Sequence, residues 1–70
     1  MEYQLELKEE RQGNVIKYKY YKVLNYDNNE DNLKEFVKKL NEDSVFNIDY
    51  YIHSINDSEV IIEEVIDTLD

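Results

Sequence analysis

The sequence predicts a small α+β domain in which an antiparallel sheet packs against a helix. Apolar residues alternate with polar residues over residues 2–8 and again over 45–55, as they do in half-buried strands. Between these segments, the apolar residues of 33–40 recur at i, i+3, i+4 and i+7, which is the spacing of an amphipathic helix. A chain of 70 residues has the length of one domain. We therefore expect a single domain over residues 1–70.

The first two predicted elements are strands joined by a tight turn. The strand at residues 2–8 alternates Tyr and Leu with polar residues. Residues 9–14 contain the only glycine, Gly13, beside an asparagine, and both residue types tolerate the positive φ of hairpin loops. Residues 15–26 are rich in Tyr and β-branched residues, and their apolar positions change parity at Tyr20-Tyr21. This change indicates a bulge there, or a strand that is buried on both faces.

A helix and a third strand follow. The polar segment at residues 27–32 offers several N-cap residues, and its acids suit a first helical turn. The helix is expected over about residues 30–41. Its apolar stripe consists of Leu33, Phe36, Val37 and Leu40. Residues 45–55 then form a strand, which places Phe46, Ile48, Tyr50 and Ile52 on one face.

The last segment is compatible with two structures. Its apolar residues come in doublets that fall within an arc of about 140° on a helix, namely Ile61, Ile62, Val65, Ile66 and Leu69. Their β-branched side chains favour a strand, but strict alternation would place Glu64 on an apolar face. We predict a helix capped by Asp57 or Ser58, and thus the order ββαβα. A fourth strand, giving ββαββ, is the alternative.

The net charge of −9 arises entirely in the C-terminal part of the chain. Residues 1–40 hold eight acids and eight bases, whereas residues 41–70 hold nine acids and neither Lys nor Arg. The nine acids are Glu42, Asp43, Asp49, Asp57, Glu59, Glu63, Glu64, Asp67 and Asp70. An uncompensated block of this size creates a long-range negative field.

The acidic block predicts a surface that binds a basic partner. On the predicted C-terminal helix, Glu59, Glu63 and Asp67 would form a row of carboxylates about 6 Å apart. Phosphates along a nucleic-acid strand are about 3.4 Å apart, so such a row can occupy a groove built for DNA or RNA. We expect the nine acids, with Tyr50 and Tyr51 as anchors, to contact a protein that has a basic nucleic-acid-binding surface. The alternative is that the acids only confer solubility.

The short, acidic, tyrosine-containing and cysteine-free chain resembles small phage-encoded inhibitors in type. These include anti-CRISPR, anti-restriction and uracil-DNA glycosylase inhibitor proteins, which differ among themselves in fold, and the residues that carry the likeness are the nine acids. The resemblance implies a non-enzymatic inhibitor or modulator, encoded by a phage or mobile element, that acts as a nucleic-acid mimic in the host cytoplasm. A small Tyr-rich interaction module, or a homodimeric assembly module, is the alternative function.

We predict no enzymatic activity, cofactor or metal site. The absence of Cys excludes disulfides and thiolate zinc sites. Residues 27–31 copy the first ligands of an EF-hand loop, but Asn32 stands where Gly is needed and Lys38 where a bidentate Glu is needed. His53 lacks an accompanying nucleophile or second metal ligand in the sequence pattern.

Direct binding to nucleic acid or to a membrane is not expected either. Lys17 to Lys22 interleaves Lys with Tyr, as single-strand-binding surfaces do, but on a strand most of these Lys and Tyr side chains point to opposite faces. The net charge also opposes contact with phosphates. The first residues lack the basic start and apolar run of a signal peptide, and the longest apolar run, Val60 to Ile62, is far shorter than a membrane span. A cytoplasmic location is expected.

Overall fold

Four strands and one helix follow one another in the order ββαββ in the computed structural model, which describes residues 2–45, 47–56 and 59–67. The elements are β1 (Leu5–Gln12), β2 (Ile16–Val23), α1 (Glu30–Asp43), β3 (Ile48–Ile55) and β4 (Val60–Asp67). The sheet order is β1-β2-β4-β3, and every neighbouring pair is antiparallel. The predicted α+β class, with an antiparallel sheet and a helix, is confirmed.

The last segment is strand β4, so the predicted C-terminal helix and the order ββαβα are wrong, and the alternative ββαββ fits. β4 is an interior strand that pairs with β2 on one side and β3 on the other. Ile62 is buried on the side of the helix, and Ile61 is buried on the opposite side. Burial on both faces produces apolar doublets, which resemble a helical period. The predicted caps, Asp57 and Ser58, lie outside the described residues.

The helix covers one face of the sheet, and the core lies between them. The buried core residues are Tyr3, Val23, Leu33, Val37, Val60 and Ile62. In the predicted helical stripe, Leu33 and Val37 are buried, while Phe36 and Leu40 are half-buried. The other side of the sheet, which we call the open face, carries alternate residues of the four strands. Among them are Tyr18, Tyr20, Tyr51, Ile61, Glu63 and Val65.

The helix is tied to its surroundings at both ends. Asn29 is the N-cap, and its side chain accepts a hydrogen bond from the Asn32 N–H at 3.1 Å. At the other end, Asn41 pairs with the main chain of β3. Its Oδ1 accepts from the Tyr50 N–H at 2.7 Å, and its Nδ2 donates to the Tyr50 carbonyl at 3.0 Å. The end of α1 is thus fixed beside the edge strand β3.

The irregularity predicted near Tyr20-Tyr21 lies in the partner strand. The register shifts between Leu7 and Glu9 of β1, opposite these tyrosines, while the pairing of β2 with β4 is regular. β2 is an interior strand and is half-buried on both faces, which is the second interpretation of the parity change. The Tyr residues of this one strand therefore pack on both faces of the sheet.

The turn between β1 and β2 does not use the positive φ that its Gly and Asn predicted. The Gly13 N–H donates to the Ile16 carbonyl at 2.8 Å, so Gly13 closes the ladder and the strands extend further than expected. Positive φ values occur instead at Asn28 (59°) and Asn47 (68°) among the described residues. Both are asparagines, which adopt this conformation more readily than most residues.

Candidate partner-binding surface

The structure disperses the predicted row of carboxylates. Glu59, Glu63 and Asp67 fall on the same side of an extended chain, where every fourth residue lies about 13 Å from the last. This spacing is roughly twice the helical spacing that the prediction assumed. Asp57 and Asp70 lie outside the described residues. The remaining acids divide into residues with partners inside the fold and residues that face solvent.

Glu59 is held by a lysine of the first strand. Lys8 Nζ donates to its Oε2 at 2.8 Å. This hydrogen bond lowers the pKa of Glu59 and raises the pKa of Lys8. Both side chains are about one third to one half exposed, so the pair stays in contact with water.

Glu64 is a buried carboxylate in the centre of the sheet, with 8% of its surface exposed. The Tyr21 hydroxyl donates to its Oε1 at 3.2 Å, and Tyr50 lies directly opposite Glu64 on β3. Burial, followed by the interaction with Glu64, raises the pKa of both tyrosines. Glu64 and Tyr50 therefore interact with each other inside the fold and are not available to a partner. The tyrosine partners of Glu64 explain how an acid is accommodated between Ile62 and Ile66.

Glu63 belongs to a cluster on the open face that the sequence did not predict. Its Oε2 lies 3.5 Å from the Tyr20 hydroxyl, and its Oε1 lies 3.4 Å from His53 Nδ1. The rings of Tyr20 and His53 meet edge to face at 5.1 Å. Only the pairing of β4 with β2 and β3 brings these residues together, so no local sequence signal could reveal the cluster.

A groove of about 350 Å³ runs beside this cluster. It is lined by Lys8, Glu9, Arg11, Tyr20, His53, Ser54, Glu59 and Ile61. The lining carries charges of both signs, and the Arg11 guanidinium lies 6.0 Å from the centre of the Tyr20 ring. Such a groove can contact polar groups of a partner. Over the described ranges, no group of three or more acidic or imidazole side chains is placed to hold a metal ion.

Three predicted acids remain exposed where α1 ends and β3 begins. Glu42 and Asp43 lie in the last turn of α1, and Asp49 lies on the open face of β3. None of the three makes an ion pair or a side-chain hydrogen bond with another described residue. We call Glu42, Asp43 and Asp49 the acidic end. Asp67 is half-buried at the same end, where its main-chain N–H donates to the Asn47 carbonyl at 3.0 Å.

The seven tyrosines do not form one surface. Three of them, Tyr18, Tyr20 and Tyr51, lie on the open face, and Tyr51 has 52% of its surface exposed. Tyr3 is in the core, where burial and its hydrogen bond to Asp27 raise its pKa to about 12. Of the two predicted tyrosine anchors, Tyr51 is available to a partner and Tyr50 is engaged by Glu64.

Comparisons of the chain with protein-family models, with curated proteins and with solved structures find no match. Within the described ranges, no helix has the length and apolar character needed to cross a bilayer.

Proposed function

We propose that the protein is a non-enzymatic inhibitor or modulator that binds a basic, nucleic-acid-binding surface of another protein. A phage or mobile element is the expected source of such a protein, and a CRISPR or restriction nuclease is the expected kind of target. The observation that carries the proposal is the acidic end, where three exposed carboxylates lack a cationic partner among the described residues.

The position of the acidic end is electrostatically unfavourable for the isolated chain. The C-terminus of a helix carries a partial negative charge, and the last turn of α1 contains two acids and no basic residue. A cationic partner surface would relieve this repulsion, because it would neutralise the carboxylates and the helix end together. Complementary charge also accelerates association.

The open face supplies an apolar anchor beside one of these charges, Asp49. Tyr51 lies two residues after Asp49 on the same strand face and is half exposed. Large amphipathic rings at an interface contribute much of its affinity, while surrounding charges set specificity and association rate. We therefore expect the contact to include the acidic end and Tyr51.

The experiment compares two variants that change the net charge equally. One carries Glu42→Gln, Asp43→Asn and Asp49→Asn; the control carries Glu2→Gln, Asp31→Asn and Glu35→Gln, which are exposed elsewhere. Each protein is used to capture targets from a bacterial lysate at low and high salt, and any captured protein is then tested for DNA or RNA binding in its presence. We expect the first variant to lose capture and inhibition, and the control to retain both.

Capture that is equal for both variants would contradict a role for the acidic end. Capture that survives 0.5 M salt would also count against it, because exposed charges are screened over about 4 Å at that ionic strength. A captured protein whose nucleic-acid binding is unaffected would contradict mimicry while leaving an interaction in place.

The open face supports a second candidate function, that of a tyrosine-based interaction module. Tyr18, Tyr20 and Tyr51 share this face with Val65, and no second layer of the described chain covers it. Under this hypothesis, Tyr51→Ser should abolish partner binding, and binding should respond little to salt. The charge-neutralised variant above should then bind normally.

A further inference from the structure

The two edge strands of the sheet differ in how far their outward main-chain groups are already hydrogen-bonded. At the β3 edge, the Asn41 side chain occupies both the N–H and the carbonyl of Tyr50. At the β1 edge, no described element lies alongside the strand, and seven of its eight residues are exposed. An uncovered edge presents main-chain donors and acceptors to a further strand.

The alternation of hydrogen bonds between β1 and β2 shows which residues of β1 direct their main-chain N–H and C=O groups away from the sheet. The Leu24 N–H donates to the Gln4 carbonyl and the Gly13 N–H donates to the Ile16 carbonyl, so both ends of the β1–β2 ladder are fixed. Alternation from each end assigns Glu6, Glu9 and Arg11 to pairs bonded to β2. The residues left with outward main-chain groups are Leu5, Leu7, Glu10 and Gln12.

In one antiparallel register, every residue with outward main-chain groups lies opposite another such residue in a second copy of β1. When Leu7 lies opposite Glu10 of another copy, Leu5 lies opposite Gln12, so all four positions meet outward positions. The same register places Glu6 opposite Arg11 and Lys8 opposite Glu9, on the open face. Opposite charges that face each other across strands stabilise the pairing.

Neighbouring registers bring like charges together. A shift by one residue places Glu6 opposite Glu10 or Glu9 opposite itself, and a shift by two places Glu6 opposite Glu9 or Lys8 opposite Arg11. Charged residues and a bulge protect an edge against arbitrary strands. In the register that places Glu6 opposite Arg11, the same charges favour a copy of this chain.

We propose that two copies of the chain associate through β1 about a two-fold axis, with Glu6 of each copy opposite Arg11 of the other. The antiparallel pairing joins two four-stranded sheets into one of eight strands, and both helices lie on the same side. Leu7, which is 52% exposed in one chain, lies next to the axis, opposite Glu10 of the other copy. Because a single strand pair forms a small interface, the dimer has weak affinity and populates at micromolar concentrations or above.

Charge reversal tests the register. Sedimentation equilibrium between about 5 and 500 μM should show a monomer–dimer equilibrium for the natural sequence. Glu6→Arg and Arg11→Glu, each alone, place like charges opposite one another twice, and should raise the dissociation constant at least about tenfold. The double variant, with both reversals, should restore the affinity. Glu35→Arg on the exposed side of α1 is the control with the same charge change as Glu6→Arg.

A cross-linking experiment provides an independent measurement, since the chain has no cysteine. The Cα atoms of Glu6 and Arg11 in the two copies should be about 4.5 Å apart, which allows a disulfide. A mixture of Glu6→Cys and Arg11→Cys proteins should oxidise to the mixed dimer in preference to either homodimer, with far-ultraviolet circular dichroism confirming that both variants are folded.

Three outcomes would overturn the proposal. The natural chain could remain a monomer at 500 μM. The double reversal could bind no better than the single ones while all variants are folded. The cysteine proteins could form homodimers as readily as the mixed dimer, which would show association in another register or through another surface.

Discussion

The conformation of Gly13 permits a side chain, so this residue is open to a stabilising substitution. The φ of Gly13 is not positive, and an added Cβ would lie 3.5 Å from the Ile16 carbonyl oxygen, which is an ordinary contact. Gly13→Ala should stabilise the protein by about 0.4–1 kcal/mol, because alanine restricts the unfolded chain more than glycine does. Urea denaturation measures this difference. Asn28→Ala, at a φ of 59°, is the opposite control and should destabilise the fold by roughly 1 kcal/mol.

Tyr3 makes the free energy of unfolding depend on pH in the alkaline range. Its hydroxyl donates to Asp27, and its pKa is raised to about 12, so the folded state favours the neutral phenol. A group whose folded pKa is raised stabilises the fold fully below its unfolded pKa, near 10 for tyrosine, and this contribution is lost as pH rises through the folded pKa. Tyr3→Phe should therefore cost about 0.5–1.5 kcal/mol at pH 7, and the difference should shrink between pH 10 and 12. A difference that is constant over this range in urea titrations would contradict the assignment.

At the scale of the secondary-structure elements, Asn41 replaces a neighbouring strand at the β3 edge. Asn41→Ala removes two hydrogen bonds to the Tyr50 main chain and should destabilise the protein by about 1–2 kcal/mol. The Tyr50 amide should then exchange its hydrogen faster, and the exposed edge should promote aggregation. Glu42→Ala, in the same exposed turn, is the control and should leave Tyr50 exchange unchanged. Equal exchange in both variants would show that the edge is protected by something else.

The sequence predicts α1, β1 and β3 because each of these buries mainly one face, and it predicts β2 from its Tyr and β-branched residues although that strand is half-buried on both faces. The periodicity of Leu33 and Val37 is that of one helix face, and both are buried as expected. The predicted helix at β4 is wrong because an interior strand has no exposed face, so Ile61 and Ile62 are both apolar. The local sequence does not indicate which strands lie in the interior of the sheet, because that depends on the order of the strands.

The candidate surface was predictable in composition but not in arrangement. Glu42, Asp43 and Asp49 are exposed as expected, whereas Glu59, Glu63 and Glu64 have partners supplied by distant strands. These partners follow from strand register, which a single sequence does not contain. For the same reason the sequence pattern around His53 contains no partner for it, although its Nδ1 lies 3.4 Å from Glu63 Oε1.

At the scale of the whole molecule, the net charge of −9 should make stability increase with salt. Mutual repulsion among the acids opposes compaction and is screened by ions, whereas the exposed ion pairs contribute little. The free energy of unfolding should rise by on the order of 1 kcal/mol between about 10 mM and 0.5 M NaCl in urea titrations. Neutralising Glu42, Asp43 and Asp49 together should reduce this dependence. A loss of stability with salt would instead indicate that pairs such as Lys8–Glu59 dominate.

The sheet order also determines how the chain must fold. Each outer hairpin joins strands that are close in sequence, but the central seam pairs Lys22 with Ile61 and Ile16 with Asp67, roughly forty to fifty residues apart. Closing this long loop costs entropy before any contact of the central seam has formed to offset that cost. The rate-limiting step should therefore be the docking of the two hairpins along β2 and β4. Ile62→Val, at the buried centre of that seam, should slow refolding in stopped-flow measurements more than it accelerates unfolding.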